Sequence, residues 1–344
     1  MNKTTIALLV AANIAAVSPA SAGVAEELAA MKARIAQLEA QLAEQKSSIE
    51  KQQVAIEEQS SSSSVGGFAE NVSVGGAAEF LLSHTKDDSG DTSSDIELDT
   101  FELEIEAEIN EMVTLTSLIE YEDSALDVTE AYAVIGNPAS NVSYTVGKAP
   151  VPFLVANGGA WTDPLTDDFA DITEGMAMVS YAADSVSLDA FTYNNGSGDS
   201  INTLGFNAEL ALENGLIFGA GYINDVHGTN DLPAGDAWRV NALLETGALA
   251  LSAEYIDVNA DAGADPSPSV LHLNADYALS EEGNLFLGYS ESDEADGIIA
   301  EKRTIIGADR ALGENATVVA ELVREEAYNG EEDDTINIVL VTEF

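Results

Sequence analysis

The sequence predicts an all-β transmembrane barrel of about 16 antiparallel strands, preceded by an N-terminal α-helical coiled coil. Its apolar residues recur with a period of about 3.5 before residue 60 and about 2 after residue 68, which indicates a helix followed by strands. No run of the chain reaches the ~18 uncharged apolar residues that a membrane-spanning helix needs. If the chain enters a membrane, it therefore does so as strands.

The composition excludes several classes of protein. The 344 residues include 12 Lys and Arg against 61 Asp and Glu, a formal net charge of −49, whereas a nucleic-acid partner requires a basic face. The absence of cysteine excludes disulfides, iron–sulfur clusters and thiolate metal sites. With three histidines and no G-x-S-x-G motif, we predict no catalytic residue, no metal site, no cofactor and hence no enzyme.

Residues 1–22 have the pattern of a signal peptide. Lys3 supplies the positive charge, residues 6–17 the apolar stretch, and Ala20-Ser21-Ala22 the small-residue cleavage site. Cleavage would remove Lys3 and leave 11 basic and 61 acidic residues, a net charge of −50. We therefore expect the chain to be exported.

Residues 23–59 are predicted to form a coiled coil, and residues 60–67, rich in Ser and Gly, a flexible linker. The a and d positions of the heptads are filled by Val24, Leu28, Met31, Ile35, Leu38, Leu42, Gln45, Ile49, Gln52 and Ile56. This pattern favours a homo-oligomer held by the coiled coil and the barrel, and a trimer is one of the oligomers that fit. A lone amphipathic helix lying on a domain is the alternative.

Residues 68–344 are predicted to form the barrel. The alternating segments fall near 70–83, 95–109, 112–123, 127–136, 141–149, 174–183, 185–194, 201–213, 215–224, 236–247, 248–258, 269–280, 284–292, 301–311, 314–325 and 334–344. Short turns alternate with longer loops such as 84–94 and 150–173, as in outer-membrane barrels. Sheet edges cannot persist in hydrocarbon, so the strands must close. A soluble β-sandwich or β-helix is the alternative, but a sandwich does not explain the short turns on one side, and no fixed-period repeat supports a β-helix.

The alternation also assigns the two faces of the strands. Residues 100–109 alternate apolar side chains with glutamates that we predict to be lumen charges: Glu102, Glu104, Glu106 and Glu108. A charge on the lipid face costs about 2–4 kcal/mol for Arg or Lys at mid-membrane, and less for acids, so these glutamates should face water inside the barrel. On a soluble sheet the same stripe would be a solvated outer face.

The connection 150–173 is the longest and the third on the outer side. It resembles the third loop of general porins, which folds into the lumen and narrows it. Its acidic residues are candidates for a pore constriction: Asp163, Asp167, Asp168 and Asp171, with Glu174 just after them. Three bases are candidate lumen charges opposite them: Lys148, Arg239 and Arg303. An acidic constriction would favour cations; alternatively, the acidity reflects a saline habitat.

The last predicted strand ends in Phe344. A terminal Phe on an alternating strand resembles the signal of barrels that the outer-membrane assembly machinery inserts. The resemblance implies that this machinery is a partner, together with outer-membrane lipid.

Three stretches resemble the LbtU-type siderophore porin family of Gram-negative outer membranes. They are residues 94–103 with 107–110, residues 130–138, and residues 147–175, which include Val151-Pro152-Phe153 and Asp163-Pro164-Leu165-Thr166. The order of export signal, coiled coil and barrel also fits that family. The resemblance implies siderophore-mediated iron uptake without an energised plug domain, and it carries over no binding residues because the matching motifs are turns and strand starts.

These observations together predict an outer-membrane porin that lets small solutes diffuse passively through an acidic, cation-preferring lumen. The coiled coil would then lie in the periplasm. Two alternatives remain: a siderophore-selective uptake porin, and a structural envelope protein tethered by its coiled coil.

Overall fold

The computed structural model describes residues 71–122, 125–137, 139–153, 159–195, 201–226, 233, 235–260 and 267–344. The predicted signal peptide, coiled coil and linker lie outside the described residues. Asn71–Phe344 form one compact unit. No helix in the described ranges is long and apolar enough to cross a membrane.

Sixteen strands and one short helix follow one another along this part of the chain. Their bounds are β1 Val72–Lys86, β2 Thr92–Asn110, β3 Val113–Glu122, β4 Ala125–Gly136, β5 Val142–Pro150, α1 Leu165–Ala170, β6 Thr173–Ala183, β7 Val186–Tyr193, β8 Thr203–Ala211, β9 Leu216–Asn224, β10 Gly235–Thr246, β11 Leu249–Ala260, β12 Ser269–Ser280, β13 Gly283–Asp293, β14 Lys302–Gly313, β15 Ala316–Glu326 and β16 Glu332–Glu343. The predicted strands all exist, with ends that shift by a few residues.

The sheet is a closed antiparallel barrel. Each strand pairs with its neighbours in sequence, and β1 also pairs with β16, from Ala77 opposite Glu343 to Lys86 opposite Asp334. Closure leaves no unpaired edge, so the backbone hydrogen bonds are made within the sheet. The predicted 16-stranded barrel is confirmed.

The first outer connection is shorter than the sequence predicts. We expected a loop over 84–94, but β1 continues to Lys86 and β2 begins at Thr92. The amide of Asp87 donates to the carbonyl of Asp91 at 3.1 Å, and Gly90 adopts a left-handed φ of 86°. This tight turn lets the two strands pair to their ends, so the polar run belongs to exposed strand ends.

The two faces of the strands differ as predicted. On β12, Leu273, Tyr277 and Leu279 point outward and are 43%, 50% and 61% exposed. Inward-facing residues on the same strand, such as Val270 and His272, are buried. The outer surface is therefore apolar, and the polar and core side chains lie inside the barrel.

Phe344 lies at the seam where the barrel closes. Its backbone amide and carbonyl pair with those of Gly76 at 3.0 and 3.1 Å. Its ring stacks on that of Phe101, with the ring centroids 6.0 Å apart. A Cβ on Gly76 would collide with the carbonyl of Glu102 and with the Phe344 ring, so this close approach requires glycine.

Candidate functional site

The connection between β5 and β6 folds into the barrel. Leu165 and Phe169, four residues apart on α1, are fully buried, and α1 contacts β11, β12 and β13. They belong to a cluster with inward-facing residues of the wall, including Phe191 and Ile256. An apolar pair at this spacing covers one side of a helical turn, and inside the barrel that side meets the wall. The inward fold of this loop thus follows from its apolar residues.

The start of the loop is fixed against β9 and β10. Phe153 is 1% exposed, and the guanidinium of Arg239 lies 5.9 Å from the centre of its ring. Gly221 leaves room for the ring, because a Cβ at that position would lie 3.2 Å from it. Packing of an aromatic ring between a glycine and an arginine holds this end of the loop on the wall.

Residues 159–162 reach the opposite wall. The amide of Gly159 donates to Asp276 on β12 at 3.2 Å, and that of Trp161 donates to Glu321 on β15 at 3.1 Å. The indole Nε1 of Trp161 donates to Glu79 on β1 at 2.6 Å. Because the loop begins at β5 and reaches β1 and β15, it crosses the lumen.

Arg303 on β14 attaches the next segment. Its Nη1 donates to the carbonyl of Asp163 at 2.7 Å, and its Nη2 lies 2.8 Å from both Asp168 and Glu325. One guanidinium therefore binds a loop carbonyl, a loop carboxylate and a wall carboxylate. Arg donors in a planar fork suit this kind of multiple contact.

The loop leaves a cavity of about 490 Å³ beside β1–β3, which we call the opening. Six of its ten lining residues are acidic and one, Arg303, is basic: Glu79, Asp99, Thr100, Glu102, Glu120, Trp161, Thr162, Asp163, Asp168 and Arg303. Four of the acids belong to the wall and two to the loop. Carboxylates therefore face the opening from both sides.

The structure distributes the predicted constriction residues over different places. Asp163 and Asp168 line the opening, and Asp171 is exposed at the end of α1. Asp167 is half-buried, and Glu174 points inward on β6 opposite the buried Ala149. Only two of the five acids thus line the opening described above.

Enclosure by protein changes the acidity of these loop residues. Burial raises the pKa of Asp167 to about 8, and the nearby carboxylates of Asp163 and Glu254 add to the shift. Partial desolvation by the surrounding protein also raises the pKa of Asp171, although its side chain is exposed, and desolvation together with Asp168 raises the pKa of Asp163. Asp167 is therefore mostly protonated at neutral pH and adds little charge.

The predicted glutamate stripe of β2 faces inward. Glu102 stands opposite Glu120, and Glu104, Glu106 and Glu108 stand opposite Leu118, Thr116 and Thr114 of β3, while Phe101 and Leu103 face outward. Glu102, Glu104 and Glu106 also line a second cavity of about 450 Å³ near the C-terminus. The carboxylates thus continue along the wall from the opening.

Of the three predicted opposing bases, only Arg303 lies among the acids of the opening. Arg239 faces inward but is 1% exposed beneath the loop, where Nη1 lies 3.8 Å from Glu254 and Nη2 donates to Asn207. Lys148 lies on the outer face of β5 with Tyr144 and Val146, and its ammonium donates to the carbonyl of Val128. Arg303 reaches the opening but is ion-paired there. Two of the three candidate lumen bases, Arg239 and Arg303, thus face inward with acidic or polar partners, and Lys148 faces outward.

Sequence reasoning missed the wall residues that complete the site. Glu79, Asp99 and Glu120 come together through the pairing of β1, β2 and β3, and Glu321 joins them only because the barrel closes between β1 and β16. Alternation alone could have placed Glu120 on the inward face, but it would have placed Asp99 on the outer face with Phe101, because a register shift in β2 reverses the phase between them. Within the described ranges, no group of three His, Cys, Asp or Glu side chains is arranged to hold a metal ion.

Comparison with solved structures identifies the architecture. An anion-selective porin from Comamonas acidovorans is 14% identical, with a TM-score of 0.61, and covers 79% of this chain and 99% of its own. The chain has a porin-type barrel. The outer membrane channel DcaP of Acinetobacter baumannii (11%, TM-score 0.59, 79% and 97%) and the trimer form of OmpT, an outer membrane protein of Vibrio cholerae (13%, 0.55, 80% and 100%), are also similar. No family model and no curated protein matches the chain.

Proposed function

We propose that this chain is an outer-membrane porin that passes small solutes and prefers cations. The observation that supports the proposal best is the charge of the opening. Six carboxylates line it with only one guanidinium, and that guanidinium is already ion-paired. Fixed charges in a narrow, low-dielectric passage concentrate ions of opposite sign and exclude those of the same sign.

The apolar outer face supports a membrane location. Side chains such as Phe80 on β1, Leu251 on β11 and Leu322 on β15 face outward and are 39–47% exposed. An apolar band of this kind around a closed barrel matches the hydrocarbon core of a bilayer. A solvated soluble barrel would instead carry its acids on this face.

The envelope context is part of the same proposal. Residues 1–22 would direct export, residues 23–59 would form a periplasmic coiled coil, and Phe344 would be read by the barrel assembly machinery. The trimer form of the similar OmpT favours a trimer here too, held by the coiled coil and the barrel.

Conductance measurements test the proposal. The chain from residue 23 onward, refolded in detergent and inserted into a planar bilayer, should give ohmic channels. In a KCl gradient their reversal potential should take the sign of K⁺ selectivity. The absence of channels, or a reversal potential with the sign expected for Cl⁻ selectivity, would refute the proposal.

Siderophore uptake is the second candidate, and it rests on the resemblance of residues 94–175 to the LbtU-type family. A selective carrier would saturate with its ferric siderophore, whereas a porin flux rises linearly with concentration. Saturable uptake into liposomes would favour this candidate. Linear flux would favour the general porin.

A structural role in the envelope is the third candidate, and it rests on the predicted coiled coil alone. Deletion of residues 24–59 would then weaken the cell envelope while leaving channel conductance unchanged. An intact envelope after the deletion would refute this role.

A further inference from the structure

Glu321 stands out among the inward-facing acids because it is buried. Its exposed fraction is 4%, and it lies on β15 between Val319 and Val323, which are also buried. A carboxylate without compensating donors would be costly at such a site. Its hydrogen-bond partners therefore explain why it is there.

Those partners come mainly from the loop. The amides of Trp161 and Thr162 donate to Glu321 at 3.1 and 3.2 Å, and the hydroxyl of Thr162 donates to the same carboxylate. From the neighbouring strand β16, Asn337 donates to Glu321 at 3.2 Å and to the Thr162 hydroxyl oxygen at the same distance. Asn337 of the wall thus orients the carboxylate, and the loop donates most of the hydrogen bonds that it accepts.

We infer that Glu321 is a latch that holds Trp161 and Thr162 against the far wall of the lumen and so sets the width of the opening. The consequence for conductance depends on the proposed porin function, but the latch itself does not. Trp161, whose indole is bound to Glu79, and Thr162 both line the opening. Glu321 does not line it, so it acts as a positioning residue.

The other attachments of the loop limit what a broken latch would do. α1 remains seated by Leu165 and Phe169 in the apolar cluster, and Asp163 and Asp168 remain bound to Arg303. Gly159 also stays bound to Asp276, and the Trp161 indole stays bound to Glu79. Loss of Glu321 would therefore loosen only the stretch at Trp161 and Thr162. We expect a wider and more variable opening in an intact barrel.

Tryptophan fluorescence tests the latch without any measurement of current. The chain has two tryptophans, so in a Trp238→Phe background Trp161 is the only one. Loss of several charge-assisted hydrogen bonds should raise the detached fraction of the segment by about tenfold. Acrylamide quenching of Trp161 should therefore increase in Glu321→Ala, and single-channel conductance and current noise should rise with it.

A matched control lies on the same strand. Glu325→Ala removes another inward-facing carboxylate of β15, one that binds Arg303 rather than residues 159–162. Its quenching should stay at the parental level. Thr162→Val, which keeps the shape and loses one donor to Glu321, should give an intermediate increase, and it replaces Glu321→Ala if that variant does not fold.

The outcomes separate the latch from the proposed function. Unchanged quenching in folded Glu321→Ala or Thr162→Val overturns the latch, whatever the channel does. Increased quenching in a protein that forms no channels supports the latch and refutes the porin proposal. Equal increases in Glu321→Ala and Glu325→Ala also overturn the latch, because they show a general loosening of β15.

Discussion

Removal of two wall carboxylates should reduce the cation preference of the channel strongly. Glu102 and Glu120 face each other on β2 and β3 and both line the opening. Neither accepts a hydrogen bond from the loop among the described contacts, so the double variant Glu102→Gln/Glu120→Gln should change charge and leave the loop in place.

The size of the effect follows from the distance between an ion and the wall. A monovalent ion about 7 Å from a carboxylate interacts with it in water by about 0.6 kcal/mol, close to RT. Each removed charge should therefore lower the local cation concentration about threefold and raise the anion concentration equally. For two charges, the ratio of cation to anion permeability should fall by more than about tenfold at low salt.

Reversal potentials in KCl gradients measure this ratio directly. The effect should be large near ~0.1 M salt and small near ~1 M, since the screening length falls from ~10 Å to ~3 Å. The control Asp184→Asn/Glu213→Gln removes two exposed turn charges and should change the ratio little. Equal ratios in the double variant and the parent, or an equal change in the control, would show that the opening does not set selectivity.

Three further predictions concern the loop and the N-terminal segment. Because the pKa of Asp167 is raised to about 8, the folded state holds a proton that the unfolded state loses, so stability should fall as pH rises from about 4 to 8. Asp167→Asn should flatten this part of the pH profile and raise the thermal midpoint at pH 9; a parallel profile would contradict the assignment. Gly221→Val should push a side chain into the Phe153 ring and destabilise the protein by about 1–3 kcal/mol in denaturant titration, whereas a neutral result would mean that the loop start is loosely held. Deletion of residues 24–59 should lower the mass measured by light scattering and keep the conductance of each barrel; an unchanged oligomer would place association in the barrel alone.

The barrel could be predicted from sequence because a membrane-spanning strand must separate apolar from polar side chains. Residues 101–108 show this separation at every position, and their faces are as predicted. The loop that we expected over 84–94 was too long because this rule covers only the part of a strand inside the membrane. Polar strand ends that extend past the apolar band look like loop in the sequence, although Lys86 and Thr92 still pair.

The site was less predictable, because its charges depend on contacts between distant parts of the chain. The inward face of Arg239 followed from alternation, but its burial depends on Phe153, which arrives from the loop 86 positions earlier. Lys148 follows Gly147, whose φ of 136° marks an irregular backbone, and only the register showed its outward side. The pairing of Trp161 with Glu79 and Glu321 had no sequence signal at all.

The central claim is that an acidic, water-filled opening lies inside the barrel, and cysteine labelling tests it most directly. The chain has no cysteine, so Glu102→Cys and Leu103→Cys each introduce a single thiol, one predicted to face the lumen and one the lipid. In bilayer-inserted protein, Glu102→Cys should react with charged methanethiosulfonates, faster with the cationic reagent than the anionic one, and the current should drop. Leu103→Cys should stay unreactive. Reaction of both thiols, or faster reaction of Glu102→Cys with the anionic reagent, would contradict the account.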